Sequence, residues 1–411
     1  MSQQRFTLIA AFLGWMFAGV VMSLLPLAAD SATKELLGDA ATKEVIGAWF
    51  VYYIVAFMLG AALGGLLFGM LGDRWGRVKG MGLSILWFSA WTGISYFAAT
   101  PAQLAALRFV ACMGVGGMWP NGVALVSEAW PNVSRPALAG LIGTSANVGI
   151  FLFGLLATQV TVTADNWRWV LWAGATPAVL GLLVLKFVPE SPLWLASRGR
   201  ETKKGVPAIE VFWPPVLQRT LIGILLGAIP LLGAWGAGKW ILPWAGSVGA
   251  ELGDATLKPT TQMYWGLGAV VGSLAGGWMA SSMGRRTSYL VISIASALVA
   301  GWIFRGLQPA PSMQFFLPIF LLGLITTTYF GWLPLFLPEL FETRIRATGA
   351  GVAFNFGRII SAAVILSTTG LVSHYKGDFA RIGETTSLVY LLGAVVIWFA
   401  PSAKEVISDE N

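Results

Sequence analysis

The stretch Gly69-Met-Leu-Gly-Asp73-Arg74-Trp-Gly76-Arg77-Val-Lys79 reads as a short charged hinge between two long apolar runs. Its glycines permit close approach of neighbouring helices, and Asp73, Arg74 and Arg77 can make charge-assisted contacts at a helix end. Further along the chain the same register returns as Gly277-Trp-Met-Ala-Ser281-Ser282-Met-Gly284-Arg285, an offset of 208 from 69 to 277. Glu128, Arg135 and Gly140 likewise match Glu339, Arg346 and Gly351 at an offset of 211. Two independent matches imply a duplicated chain. With Ser281 and Ser282 in place of Asp73 and Arg74, the second copy is expected to latch more weakly.

The surroundings of both copies are lipid-like. Only 11% of the 411 residues are charged and 56% are hydrophobic, against about a quarter charged in a soluble domain. Apolar runs near the length of a bilayer span recur from end to end. Twelve such runs fall near 6–28, 49–71, 81–99, 104–127, 137–159, 167–188, 218–245, 260–281, 288–305, 314–337, 348–371 and 385–401. The expected fold is an all-α integral membrane protein whose twelve transmembrane helices form two pseudo-symmetric six-helix bundles. Residues 1–188 form the first bundle, 189–217 a polar cytoplasmic linker, and 218–411 the second bundle with a short tail. An even helix number per half keeps the copies in the same orientation. The N-terminus has Arg5 before a long apolar stretch and no small-residue cleavage site, so it reads as a retained helix. Basic residues concentrate in one set of loops, among them Arg74, Arg77, Arg135, Arg200, Arg285 and Arg346, while Lys34, Lys43 and Lys258 lie in the opposite set. The positive-inside rule then places both termini in the cytoplasm of a prokaryotic plasma (inner) membrane.

Other functional classes are disfavoured. Cys112 is the only cysteine and His374 the only histidine, so no Cys-based metal site or disulfide framework can be built within one chain. No nucleophile–base set and no Gly-rich phosphate loop followed by Lys-Ser/Thr is present. The chain is therefore not expected to be an enzyme or to carry a metal or cofactor. Its net charge of +7 sits in short loops, which argues for the lipid bilayer as partner and against nucleic acid. A monomer is expected.

The 69–79 loop carries the pattern G-x-L-x-D-R-x-G-R-x-K and so resembles the major facilitator superfamily of transporters. Pro189-Glu190-Ser191-Pro192-Leu-Trp194-Leu is similar to the PESPRWL segment of sugar-porter-like members, with Leu193 in place of arginine. The stretch from Pro338-Glu339 through Arg344 and Arg346 to Gly351 resembles the helix 10–11 junction of metabolite:proton symporters and organic-ion transporters. These resemblances imply the major facilitator fold and a conformational latch made by Gly69, Asp73, Arg74, Gly76, Arg77, Glu128, Arg135 and Glu190, with Gly284, Arg285, Glu339 and Arg346 in the second copy. The alternative for the loop is a solvated basic segment that only sets topology.

Arg108 followed by Gly114-Val-Gly116-Gly117 resembles the R-x-G-x-G pattern that sets an arginine near the substrate cavity. Aromatic-acid symporters pair that arginine with a D-G-F-D sequence on helix 1, where this chain has Ala18-Gly19-Val20-Val21. No helix-1 carboxylate is therefore available there to carry a proton or to balance Arg108. Asn355-Phe-Gly-Arg358 resembles the helix-11 position where organic anion transporters keep an arginine. Lys239 sits among Trp235, Trp240 and Trp244, although it could instead snorkel to the membrane surface.

An arginine or lysine in hydrocarbon faces a partner or a water-filled cavity. With Arg108, Lys239 and Arg358 positive and no mid-helix carboxylate to match them, a substrate anion is the expected compensation. Trp15, Trp119, Trp235, Trp240, Tyr329 and Asn355 complete the expected binding set, the aromatics stacking on the ligand or else serving interfacial belts. Gly143, Asn147 and Gly149 read as packing positions. The expected function is an alternating-access carrier for a small organic anion such as a carboxylate, coupled to protons, to a counter-anion, or to neither. A sugar or polyol porter is the alternative transporter, and a non-transporting membrane receptor is the alternative of another class.

Overall fold

The computed structural model describes residues 3–130, 135–197, 208–342 and 345–400, and among them there is no strand. The chain begins with helices α1 (Gln3–Leu37), α2 (Lys43–Trp75), α3 (Arg77–Ile94), α4 (Pro101–Ala129) and α5 (Arg135–Gln159). They are followed by α6 (Trp169–Phe187) and α7 (Leu217–Leu252). Next come α8 (Leu257–Met283), α9 (Arg285–Gly306), α10 (Met313–Gly331), α11 (Thr348–His374) and α12 (Phe379–Phe399). Among the described residues, ten helical segments are long and apolar enough to cross a bilayer, against the twelve expected. The two outside that set are α3 and α8. The first is 18 residues long and begins with Arg77 and Lys79. The second spends Gly266, Gly268, Gly272, Gly276 and Gly277 on positions where a larger apolar side chain would raise hydropathy.

Those glycines have a packing reason. A methyl group added at Gly60 would lie 2.2 Å from the Phe109 carbonyl oxygen, and one at Gly64 1.9 Å from that of Met113. The same is true of Gly268, at 2.0 Å from the Phe320 oxygen, and of Gly272, at 1.9 Å from that of Leu324. Helix α2 therefore touches α4 backbone to backbone, and α8 touches α10 in the same way. Both glycine pairs are separated by the 208 residues that relate the two hinge loops. The hinges match as well, since Gly76 (φ 116°) and Gly284 (φ 80°) both take backbone angles that a side chain strains. Elements on either side of the linker meet where α5 packs on α8 and α2 on α11.

At the hinge end, Arg77 bonds Asp73 and reaches Glu128 at 3.3 Å. Arg285 grips both oxygens of Glu339, at 3.0 and 3.1 Å. The second copy, expected to latch more weakly, keeps one carboxylate partner where the first has two. With serine at 281, Arg285 has a single carboxylate to serve and engages it bidentately, whereas Arg77 is divided between two. Glu190, expected in the latch, caps the start of α3, accepting from the Val78 amide at 3.1 Å. It also fills the space beside Gly76, where a Cβ would stand 2.1 Å from its Oε2. Gly69 has nothing within 4 Å and is not a close-approach position; Gly72 is, against Asn121. Arg74 is exposed. The side chains of Arg135 and Arg346 lie outside the described residues.

At the opposite end, two ion pairs join elements that precede the linker to elements that follow it. Lys258 of α8 bonds Asp30 of α1, and Lys43 lies 3.1 Å from Glu251. The first pair is largely shielded and the second is exposed. Gly246 of α7 leaves room beside the first pair. The Asp30→Asn substitution leaves Lys258 without its carboxylate. It should cost about 2 kcal/mol, between the values for exposed and fully buried pairs. Thermal unfolding in detergent should show a lowered midpoint for Asp30→Asn, partly restored when Lys258→Gln is added. Lack of any restoration would show that the pair is not coupled.

Candidate functional site

A cavity of about 350 Å³ lies between the helices, lined by residues of α1, α2, α4, α5, α7, α8, α10 and α11 and by the adjoining short helix Leu333–Glu339. Its wall is mostly apolar and aromatic. Trp15 and Trp119 pack at 5.0 Å on one side, while Phe57, Trp235 and Trp265 form another. Asn147, Thr327 and Asn355 are its polar side chains, and Arg358 is the one charged residue among the lining residues.

Helix α11 delivers Arg358. Its guanidinium lies 4.7 Å from the Phe354 ring and donates to the Ala61 carbonyl at 3.4 Å. Asn355, one turn earlier, donates to the Gly351 carbonyl at 3.0 Å. Asn147 spans from α5 to α8, donating to Ser273 at 3.2 Å and more loosely to the Ala269 carbonyl at 3.4 Å. A residue that reads as a packing position thus lines the cavity and also ties two helices together across it.

Lys239 is buried, and its ammonium sits against two indole faces of the cavity wall, 3.9 Å from the Trp265 ring centre and 5.2 Å from that of Trp235. Snorkelling is thereby excluded as a description of this side chain. No hydrogen bond or ion pair engages it among the described residues. The backbone that presents it is irregular, with Leu232–Ala237 forming a π-helical turn and Gly238–Trp240 a 3-10 turn. Such interruptions of an α-helix recur at functional sites. Gly233-Ala-Trp235-Gly236-Ala-Gly238, with three glycines in six residues, is the sequence signal for it.

Arg108 stands behind the cavity wall. It donates to the Val21 carbonyl at 2.5 Å and to the Met22 carbonyl at 2.9 Å, and lies 5.7 Å from the Phe57 ring. Met22 can accept because Pro26, four residues on in α1, has no amide hydrogen to give it. Pro230 in α7 works in the same way, leaving the Leu226 carbonyl to accept from the Tyr289 hydroxyl at 2.9 Å. The missing helix-1 acid is therefore replaced at Arg108 by neutral carbonyls, which take two of its hydrogen bonds, leave Nε without a partner among the described residues, and leave the charge uncompensated. Phe57 in turn packs on Trp235 at 4.5 Å, so Arg108, Phe57, Trp235, Lys239 and Trp265 form a continuous row along the wall.

Two expected members are elsewhere. Trp240 is 2% exposed and lies between Phe50 and Phe379. Tyr329 is fully buried, bonded to Ser293 at 2.6 Å and packed on Tyr289. Phe57 and Thr327 were missed, because a lone Phe or Thr in an apolar run carries no distinguishing pattern.

An aromatic cavity with basic groups in its wall, enclosed by bilayer-length helices, is what a multi-pass membrane transporter requires. The chain belongs to the Major Facilitator Superfamily, whose family profile matches residues 6–401. It is 26% identical, over 84% of its length and 80% of the relative, to a probable 4-methylmuconolactone transporter of Cupriavidus pinatubonensis. It is 28% identical to the cis,cis-muconate transport protein of Acinetobacter baylyi, over 77% of this chain and 76% of that one. Among solved structures it resembles a D-xylose-proton symporter in fold, with a TM-score of 0.74, 18% identity, and coverage of 97% of this chain and 98% of that one.

The proline-freed carbonyl can be tested by a double-mutant cycle. Arg108→Met strands the Met22 carbonyl, whereas in a Pro26→Ala background the new amide can take it. Thermal unfolding should give an interaction energy of about 1 kcal/mol between the two changes. Strict additivity would show that the arginine and the proline do not act on the same carbonyl.

Proposed function

We propose that the protein is an alternating-access carrier of small organic anions, with a carboxylate as the recognised group and an unsaturated or aromatic body held by the tryptophans. The supporting observation is the sign of the cavity. Arg358 is its charged lining residue, Lys239 and Arg108 stand directly behind its aromatic wall, and no Asp, Glu or His lines it among the described residues. An anion held by Arg358 would gain charge-assisted hydrogen bonds in a site shielded from bulk water. The two curated relatives named above, one for a muconate and one for a methylmuconolactone, agree with this class of cargo.

In this reading two six-helix halves, 1–188 and 218–411, rock about the cavity in a plasma membrane, with both termini cytoplasmic. The Asp30–Lys258 and Lys43–Glu251 pairs close the periplasmic end and must part when that end opens. A sugar porter would need a denser polar array than Asn147, Thr327 and Asn355 supply.

Ligand-induced thermal stabilisation of the purified protein tests the sign, since a ligand at a hundred times its Kd stabilises by about 2.7 kcal/mol. cis,cis-Muconate, benzoate and gentisate should raise the midpoint, while xylose and tetraethylammonium should leave it unmoved. Stabilisation by the cation alone would sink the reading. Arg358→Ala should weaken carboxylate binding roughly a hundredfold, as expected for loss of about 2–3 kcal/mol of charged hydrogen bonding. Unchanged affinity would remove Arg358 from the site.

A further inference from the structure

The placement of charge along the helices bears on how transport is driven. Acidic residues of the described segments are held away from the cavity, most of them by a partner at a helix end. Glu128 and Asp73 meet Arg77, Glu339 meets Arg285, and Glu342 meets Arg219. At the other end Asp30 meets Lys258, Glu35 meets Arg168 at 2.8 Å, Glu251 meets Lys43, and Glu384 meets Arg305. Asp39, Glu44 and Asp165 are exposed. Arg358 in the cavity, and Arg108 and Lys239 buried behind its wall, have no such partners among the described residues. Lys239 has two indole faces, Arg108 two main-chain carbonyls, and Arg358 one ring and one long carbonyl contact.

Closing such a cavity around nothing is unfavourable. Water screens the fixed charges while the site is open to one side. Occlusion withdraws that water, and a cation left unpaired in a low-dielectric interior is strongly destabilised. A bound anion relieves the penalty in the occluded state, so the loaded carrier crosses more easily than the empty one. No carboxylate or imidazole lines the cavity to carry a proton in place of the anion, and the guanidinium groups of Arg108 and Arg358 keep their charge whether or not it is occupied.

We propose, resting on the anion reading above, that the protein is an anion exchanger: Arg108, Lys239 and Arg358 retard the return of the empty carrier, so an anion must be carried in each direction. Each 1.4 kcal/mol that the unpaired charges add to the empty crossing slows it tenfold.

The test uses the full-length protein reconstituted in liposomes, with radiolabelled cis,cis-muconate outside as the probe. Uptake into vesicles holding unlabelled cis,cis-muconate should exceed uptake into vesicles holding only sucrose and neutral buffer by about tenfold or more. An acid-outside pH gradient should not restore uptake in the sucrose vesicles. Equal rates in both vesicle types, or pH-driven accumulation without internal anion, would overturn exchange while leaving anion transport standing. No uptake under any condition would overturn the anion reading and exchange with it. Lys239→Gln and Arg108→Gln each remove one fixed charge and should lower the ratio of exchange to net uptake. An unchanged ratio in folded variants would show that these charges do not set the mode. If neither variant folds, the wild-type ratio decides.

Discussion

Backbone contact between glycines and neighbouring carbonyls is the constraint on which the rest of this structure depends. Lipid tails are as apolar as leucine, so helices in a bilayer gain little by hiding hydrophobic surface from one another. They associate by close packing, and at Gly60, Gly64, Gly268 and Gly272 they approach until no side chain would fit. Once α2 is fixed on α4 and α8 on α10, the wall residues these helices carry are fixed too. Phe57 and Ala61 come from α2, Trp119 from α4, Trp265 from α8, and Phe330 from the end of α10. The cavity is the space left where these tightly joined pairs do not meet.

The seams divide the helices into rigid units, and charge is distributed to match. Paired acids and bases occupy the ends, where water is near and a broken contact can be solvated. Unpaired bases occupy the middle, where their field reaches an enclosed ligand with little screening. The row from Arg108 through Phe57 and Trp235 to Lys239 and Trp265 gives those bases aromatic faces as neighbours, a favourable setting for cations that lack an anion. Helix α7 reaches the row only by abandoning α-helical hydrogen bonding for a π turn and then a 3-10 turn.

What could be read from the sequence divides along the same line. The hinge loop, its second copy, the Arg77–Glu128 and Arg285–Glu339 contacts and the position of Arg358 each have a local pattern, because glycine, arginine and glutamate in an apolar chain are conspicuous. Side-chain direction has no such signature. Trp240 and Trp235 lie five residues apart on one helix, yet one faces the cavity and the other is packed between Phe50 and Phe379. Residues five apart on an α-helix point about 140° away from each other, and nothing in the sequence tells which of the two directions is the cavity. Gly69 and Gly72 look equivalent in the hinge motif, and only Gly72 abuts another helix. Hydropathy also undercounts α8, since glycines that serve packing look polar to an index that measures transfer of side chains.

The hold on Arg108 has a consequence for how such a chain can change over time. An aspartate partner ties an arginine to one residue type at one position, and losing either leaves the other stranded. Main-chain carbonyls are supplied by every amino acid, so Val21 and Met22 can be exchanged for other residues without releasing the guanidinium, provided Pro26 stays. Retention of the arginine is thereby uncoupled from retention of an acid, and the basic residue can persist in a chain whose helix 1 offers no carboxylate at that level.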